Sequence, residues 1–363
     1  MRKREPRILH LIPSLKTGGA ETAALNYLRS AHLRRRYFVV VFRGVDAGLL
    51  QVLPTKVRRR VLSIAPGRLT WLTGRLIGFL RRHRSSVIIT SMWPSALALM
   101  VASVCWRFPK HVAFTHRSSS AHVVDSIVRN WQVRHSMVNL ADSEKSAQWV
   151  RRRSQVDVTV LPAVFASGLE AGARTLGKSI RLCFVGRIAP VKNLGGILDL
   201  FELLLQGRSD LALDIFGPDG GDLAAVLARI AARGLGDAVR YKGVLSPDRV
   251  QETVHEYDFL ILLSHTEGMA LSVVEAMRMG VVPIVGKVGG PGDYCRSGLN
   301  AVVVDSYSEQ DMQRAAAELL RIFSVPDDYR RLSAGASETF DSRMLFETEF
   351  NRVLSTRFDF DAG

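Results

Sequence analysis

Apolar residues fall into short runs separated by longer segments of mixed character. In the first half, RILHLIP (7–13), YFVVVF (37–42), VRRRVLSI (57–64), VIITS (87–91), HVAFTH (111–116), MVNLAD (137–142) and VTVLP (158–162) have strand length and composition. Helix-length stretches separate most of them, which predicts an α/β sheet with mainly parallel strands. The stretch 164–179 is rich in Gly, Ala and Ser without a strong apolar period, and the linker is placed at 166–179. A second series follows: IRLCFVG (180–186), a helix over 196–205, LALDIFG (211–217), a helix over 223–233, VRYKGV (239–244), FLILLS (259–264), VVPIVG (281–286) and AVVVD (301–305). The pattern predicts two doubly wound units in tandem, 1–165 and 180–340. A C-terminal extension, 341–363, is helical over 342–357 and is placed to pack back on the first unit.

In such sheets ligands bind outside the carboxyl ends of the strands, so the loops there hold the candidate chemistry. After FLILLS the loop HTEGMAL enters the helical pattern SVVEAMRM, and a helix N-terminus offers unpaired NH groups and a favourable dipole to an anion. Glu267 and Glu275 flank that turn. Ser272 and Glu275 also fit a capping box, which would make Glu275 structural. Arg187 and Lys192 follow the strand RLCFVG, five residues apart, where they could converge on a diphosphate or simply be solvated charges. His116 ends the strand HVAFTH and suits acid/base chemistry or a sugar hydroxyl, although a lone histidine is more often structural. Gly18 and Gly19 follow the first strand, and Gly289 and Gly290 follow VVPIVG, as close-approach loops. No G-x-G-x-x-G follows a predicted strand, which counts against a dinucleotide-dependent oxidoreductase.

Composition adds bounds. The 363 residues are 47% hydrophobic and 23% charged, ordinary for a globular chain with room for two cores. Cys105, Cys183 and Cys295 lie far apart, with no disulfide framework or zinc spacing, so a reducing compartment is expected. The start MRKREPRILHLIPSLKTGG reads as a first strand rather than a signal peptide, and 94–106 is too short to span a bilayer, which needs ~20 residues. Charge is uneven: residues 1–165 hold 28 Lys/Arg against 7 Asp/Glu, a net +21, while 166–363 hold 21 against 27, a net −6. An acidic partner for the first half follows, either an anionic membrane or nucleic acid. The segment 67–84 places Leu69, Leu72, Leu76, Phe79 and Leu80 near one helical face, with Arg68, Arg75, Arg81, Arg82 and Arg84 around it. The leucine stripe suits a sheet-covering helix and the arginines suit an anionic bilayer. Clusters at 34–36, 58–60 and 151–153 add to the same domain.

Glu267-x7-Glu275 within HTEGMALSVVEAMRMGVVPIVG, together with FVGRIAPVKN, IFGPDGGD, VRYKGVLSPDRV and KVGGPGDY, resembles the carboxyl-terminal domain of the retaining glycosyltransferases of family four. GGAE after the first strand, FTH near the middle and NLADSEKSAQWV before VTVLP are similar to that family's amino-terminal half. Departures are Ala163-Val164 where the family usually carries Asn-Gly, Met269 where a bulky aromatic is usual, and Asp293 in place of the expected glutamate.

The resemblance implies the GT-B fold, two Rossmann-like doubly wound domains facing a cleft. Arg187 and Lys192 would bind the donor diphosphate, Glu275 the ribose hydroxyls, and Glu267 the hydroxyls of the transferred sugar. Backbone NH groups around Gly268, Ala270, Leu271 and Ser272 would hold phosphate oxygens, and Gly18, Gly19 and the catalytic His116 would lie on the opposite wall, near the transferred sugar and the acceptor. The implied activity is metal-independent retaining transfer from a UDP-, GDP- or ADP-sugar to a glycan or lipid-linked acceptor, with no cofactor beyond that donor. Nucleic acid is not expected as a partner, and the enzyme would sit in the cytoplasm at the inner membrane face. A catalytically inactive relative, a nucleic-acid-binding or membrane-binding protein on the same scaffold, and a GT-B nucleotide-sugar epimerase are the alternatives.

Overall fold

A computed structural model describes residues 7–15, 19–29, 37–45, 50, 53–64, 74–116, 122–161, 172–246, 249–340 and 346–358. The chain divides into two compact units, Met1–Phe165 with Arg343–Gly363, and Ala166–Ser342.

The first unit is a seven-stranded sheet of β1 (Ile8–Ile12), β2 (Tyr37–Val41), β3 (Val61–Ser63), β4 (Val87–Ser91), β5 (His111–Thr115), β6 (Val138–Ala141) and β7 (Thr159–Val160). Its order is β3-β2-β1-β4-β5-β6-β7, and every pairing is parallel. Parallel sheets need cover on both faces, and β1, β4 and β5 are buried at every position. Leu76 and Leu80 of the helix Gly74–Arg82 enter the core with Leu9, Leu11, Val40 and Ile88. Arg75, Arg81 and Arg82 of that helix are exposed, while residues 65–73, which hold Arg68, Leu69 and Leu72, lie outside the described residues. The helix Phe346–Phe358 belongs to this unit: the Phe346 ring stacks on Tyr27 at 3.7 Å between centroids, and Phe350 is buried beside it.

One predicted strand is corrected. Within VRRRVLSI only Val61–Ser63 is extended, and Thr55–Arg58 is a helical turn. Pro54 at its N-cap presets a helical entry, and three successive arginines offer no alternating face to bury.

The second unit repeats the plan with β8 (Ile180–Val185), β9 (Leu211–Phe216), β10 (Val239–Gly243), β11 (Phe259–Leu262), β12 (Val282–Gly286) and β13 (Val302–Val304). The order is β10-β9-β8-β11-β12-β13, again all parallel. Winding reverses between β8 and β11, the crevice where open α/β sheets bind ligands. Helices Leu194–Gly207, Glu309–Ser324 and Pro326–Thr339 bury apolar faces here, and Asn193 and Ser308 cap the first two through their side chains. Of the region expected as linker, 166–171 lies outside the described residues and 172–179 forms neither helix nor strand.

Candidate functional site

The reversal point of the second sheet carries a cluster of polar side chains. Beyond β8 the chain makes a 3-10 turn, Pro190–Lys192, in which the Lys192 amide donates to the Ala189 carbonyl at 2.8 Å. Beyond β11, the His265 amide donates to the Val191 carbonyl at 2.9 Å, tying the two strand ends together. That tie brings Lys192 Nζ to within 2.5 Å of Glu267 Oε1, a partly buried ion pair. Ser264 Oγ donates to the same carboxylate oxygen at 2.6 Å.

Three more contacts fix the loop. Tyr307 donates its hydroxyl to the Ser264 carbonyl at 2.6 Å, Tyr294 donates to the Met269 carbonyl at 2.6 Å, and the Gly290 amide donates to the Gly268 carbonyl at 2.7 Å. Gly289 sits at φ +55°, where a Cβ would strike the Glu267 carbonyl, so the close approach requires glycine. Asp293 lies on the short turn Pro291–Tyr294, its amide donating to the Gly290 carbonyl at 2.7 Å.

The helix Leu271–Arg278 follows, and its geometry overturns the capping-box reading. Its N-cap is Ala270, held at φ 55° and ψ 70°, and no side chain caps it. Ser272 therefore stands inside the first turn, where its hydroxyl is not the cap that the S-x-x-E pattern suggests. A non-glycine residue in the left-handed region costs of order 1–3 kcal/mol and tends to mark functional sites. No side chain occupies the first-turn amides at the Leu271 end, the arrangement in which a helix N-terminus can take an anion.

Glu275 lies one turn into this helix, half-buried, and no described group hydrogen-bonds its carboxylate. Burial pushes it up to about 7, and Arg278 pulls weakly in the other direction. Arg187 is exposed, with its stem over Gly220, and no carboxylate among the described residues pairs with it. One cation is thus held in place by a carboxylate and the other is free to reach a ligand.

The first unit holds a separate polar cluster. His116, just past β5, places Nε2 2.9 Å from Ser91 Oγ and Nδ1 3.5 Å from Asp142 Oδ2. Ser91 Oγ is also 2.6 Å from His10 Nε2, and His10 Nδ1 meets the Tyr37 hydroxyl. Gly19 opens the helix Gly19–Arg29, whereas Gly18 lies outside the described residues, as do Ala163 and Val164.

Ser264, Tyr294 and Tyr307, and in the first unit His10, Ser91 and Asp142, escape sequence reasoning. Only His10 leaves a sequence signal, as a polar residue inside the apolar run ILHLI. No group of three metal-ligating side chains occurs among the described residues, and none of their helices is long and apolar enough to cross a membrane.

Two Rossmann-type sheets in tandem, the second with a cation–carboxylate pair at its reversal point, define an α/β protein of the GT-B class. The fold matches the crystal structure of Anabaena Alr3699/HepE in complex with UDP and glucose, with a TM-score of 0.81 over 98% of this chain and 100% of that one, at 18% identity. Residues 172–338, within the second unit, match the family of glycosyl transferases group 1. Among curated relatives, the D-inositol 3-phosphate glycosyltransferase of Thermobispora bispora is 31% identical over 177 residues, 47% of this chain and 39% of the relative. The protein of the same description from Streptomyces bingchenggensis is 24% identical over 333 residues, 82% of this chain and 71% of the relative. The chain thus spans about two-fifths of the length of the first of these relatives.

Proposed function

We propose that the protein is a metal-independent retaining glycosyltransferase that moves a sugar from a nucleotide sugar to a glycan or lipid-linked acceptor. The observation that carries this reading is the site at the β8/β11 reversal, in a unit that matches the glycosyl transferases group 1 family. It combines a cation fixed by a carboxylate, an exposed arginine, a helix N-terminus without a side-chain cap and a half-buried carboxyl that no described group hydrogen-bonds.

Each part has a role. Arg187, Lys192 and the amides of Leu271 and Ser272 offset the charge that develops on the leaving diphosphate, the largest electrostatic demand of the reaction. Glu275, with no hydrogen-bond partner among the described residues, accepts hydrogen bonds from ribose hydroxyls. Glu267 contacts the transferred sugar. Lys192 and Ser264 already occupy one of its carboxylate oxygens, so it is a poor covalent nucleophile. Reaction on one face fits this: the acceptor oxygen bonds to the anomeric carbon, the bond to the phosphate oxygen breaks, and the acceptor's proton passes to the leaving phosphate.

A membrane role for the first unit draws support from the helix Val123–Arg134. Val123, Val124 and Ile127 are 75%, 50% and 60% exposed, and Arg153 of the neighbouring helix reaches Ser126 Oγ at 3.2 Å. Exposed apolar side chains beside Arg153 suit the cytoplasmic face of an anionic bilayer.

The test is a panel of UDP-, GDP- and ADP-sugars, read by thermal shift and by nucleotide release with and without EDTA. One donor should stabilise the protein and release nucleotide equally in both conditions. No shift and no release across the panel would leave the inactive-scaffold reading, and sugar isomerisation without transfer would favour an epimerase.

A further inference from the structure

Five polar side chains cross the first sheet along consecutive strands. Tyr37 begins β2, His10 lies in β1, Ser91 ends β4, His116 follows β5 and Asp142 follows β6. Tyr37, His10 and Ser91 are almost wholly buried, Asp142 is buried, and His116 is 12% exposed. A chain of this kind in a low-dielectric interior must have a definite direction, because each hydroxyl has one proton to give.

Two directions are conceivable. Burial lowers His10 to about 3, helped by its neighbour His116, so its ring is neutral at ordinary pH and carries one proton. Burial holds the Tyr37 hydroxyl well above its ordinary value, so it is protonated. If Tyr37 donates to His10 Nδ1, then His10 Nε2–H donates to Ser91, Ser91 donates to His116 Nε2, and His116 keeps its proton on Nδ1, toward Asp142. In the reverse direction the Tyr37 proton has no other described acceptor, and nothing in the chain directs a His116 proton to Nδ1, the nitrogen that faces the Asp142 carboxylate. A buried hydroxyl left unsatisfied costs about 1–3 kcal/mol, so the first direction wins.

We propose that Tyr37, His10, Ser91 and Asp142 are positioning residues that fix His116 with its proton on Nδ1, so that it meets a bound substrate as a hydrogen-bond donor and not as a base. Ser91 occupies the Nε2 lone pair that a base would need. The Nδ1 proton, shared only loosely with Asp142 across 3.5 Å, remains available to an oxygen. The contact with substrate rests on the glycosyltransferase reading; the tautomer does not.

Long-range proton–nitrogen correlation spectra of the full chain, labelled with nitrogen-15 histidine, test the tautomer directly, with His116→Gln identifying the signal. At pH 7.5 His116 should show the Nδ1–H pattern and His10 the Nε2–H pattern. Ser91→Ala should convert the His116 pattern to a mixture. Tyr37→Phe removes one hydroxyl from the far end, so it should do the same with little risk to folding. An Nε2–H pattern for His116 in the wild type, or an unchanged pattern in both variants, overturns the proposal. Once the donor panel supplies a substrate, Ser91→Ala should lower kcat about tenfold with KM for the donor held within about twofold. An unchanged kcat would remove the substrate contact, and a panel with no active donor would defeat the glycosyltransferase reading while the spectra still decide the tautomer.

Discussion

Glu275 is held in a state that opposes stability, and this can be measured. Burial raises its carboxyl from 4.5 to about 7. In the unfolded chain it ionises near 4.5, so between these values the native state binds the additional proton and stability falls as pH rises. At about 1.4 kcal/mol per pH unit, full ionisation at pH 8 costs about 3 kcal/mol. Partial solvent access reduces this to ~2 kcal/mol. Glu275→Gln keeps the shape and removes the charge. A domain of this size melts about 2–4 °C higher per kcal/mol, so the variant should unfold roughly 4–8 °C above the wild type at pH 8, with about a quarter of that gain at pH 5. Thermal unfolding followed by circular dichroism at the two pH values is the assay. An equal shift at both, or a variant less stable at pH 8, would refute the buried-charge argument. The same variant should bind its nucleotide sugar about tenfold more weakly, because an amide replaces a charged acceptor.

Other outcomes follow from the same geometry. Arg187→Ala should weaken donor binding about tenfold and leave the melting temperature unchanged, since it gives up an exposed cation that no described carboxylate pairs with. Lys192→Ala should weaken binding and also destabilise by about 1–3 kcal/mol in urea titrations, because it breaks a partly buried pair and strips Glu267 of its counter-charge. Gly289→Ala should abolish donor binding and destabilise by more than ~2 kcal/mol through collision with the Glu267 carbonyl; Gly298→Ala, at φ +74° in open space, should cost only the ~1 kcal/mol of backbone strain. Val123→Asp with Ile127→Asp should cut sedimentation with anionic vesicles about tenfold at 0.15 M salt, and unchanged binding would clear this face of any membrane role.

Much of the fold was legible because parallel strands buried on both faces are continuous apolar runs whose signature is local. All but VRRRVLSI lie close to their predicted bounds, and that run failed where Pro54 and three arginines favour a turn. The loop after β11 was legible as a strand-to-helix turn, since glycine and a following helix announce it within a few residues. The role of Ser272 was not. Local spacing favoured a cap, but the ties from Tyr294 and Gly290 hold Met269 and Gly268 so that Ala270 takes the left-handed turn and the helix begins at Leu271.

The sequence by itself therefore determined which segments are strands, that there are two winding units, and which loops carry charge. Tertiary structure decided who meets whom. Lys192 and Glu267 lie 75 residues apart and pair because β8 and β11 are neighbours at the reversal of the sheet. The five-residue chain from Tyr37 to Asp142 exists only because strand order interleaves β1 between β2 and β4. Periodicity along a chain reports which face a residue presents, whereas hydrogen bonds between strand ends depend on strand order and register, which no local pattern encodes.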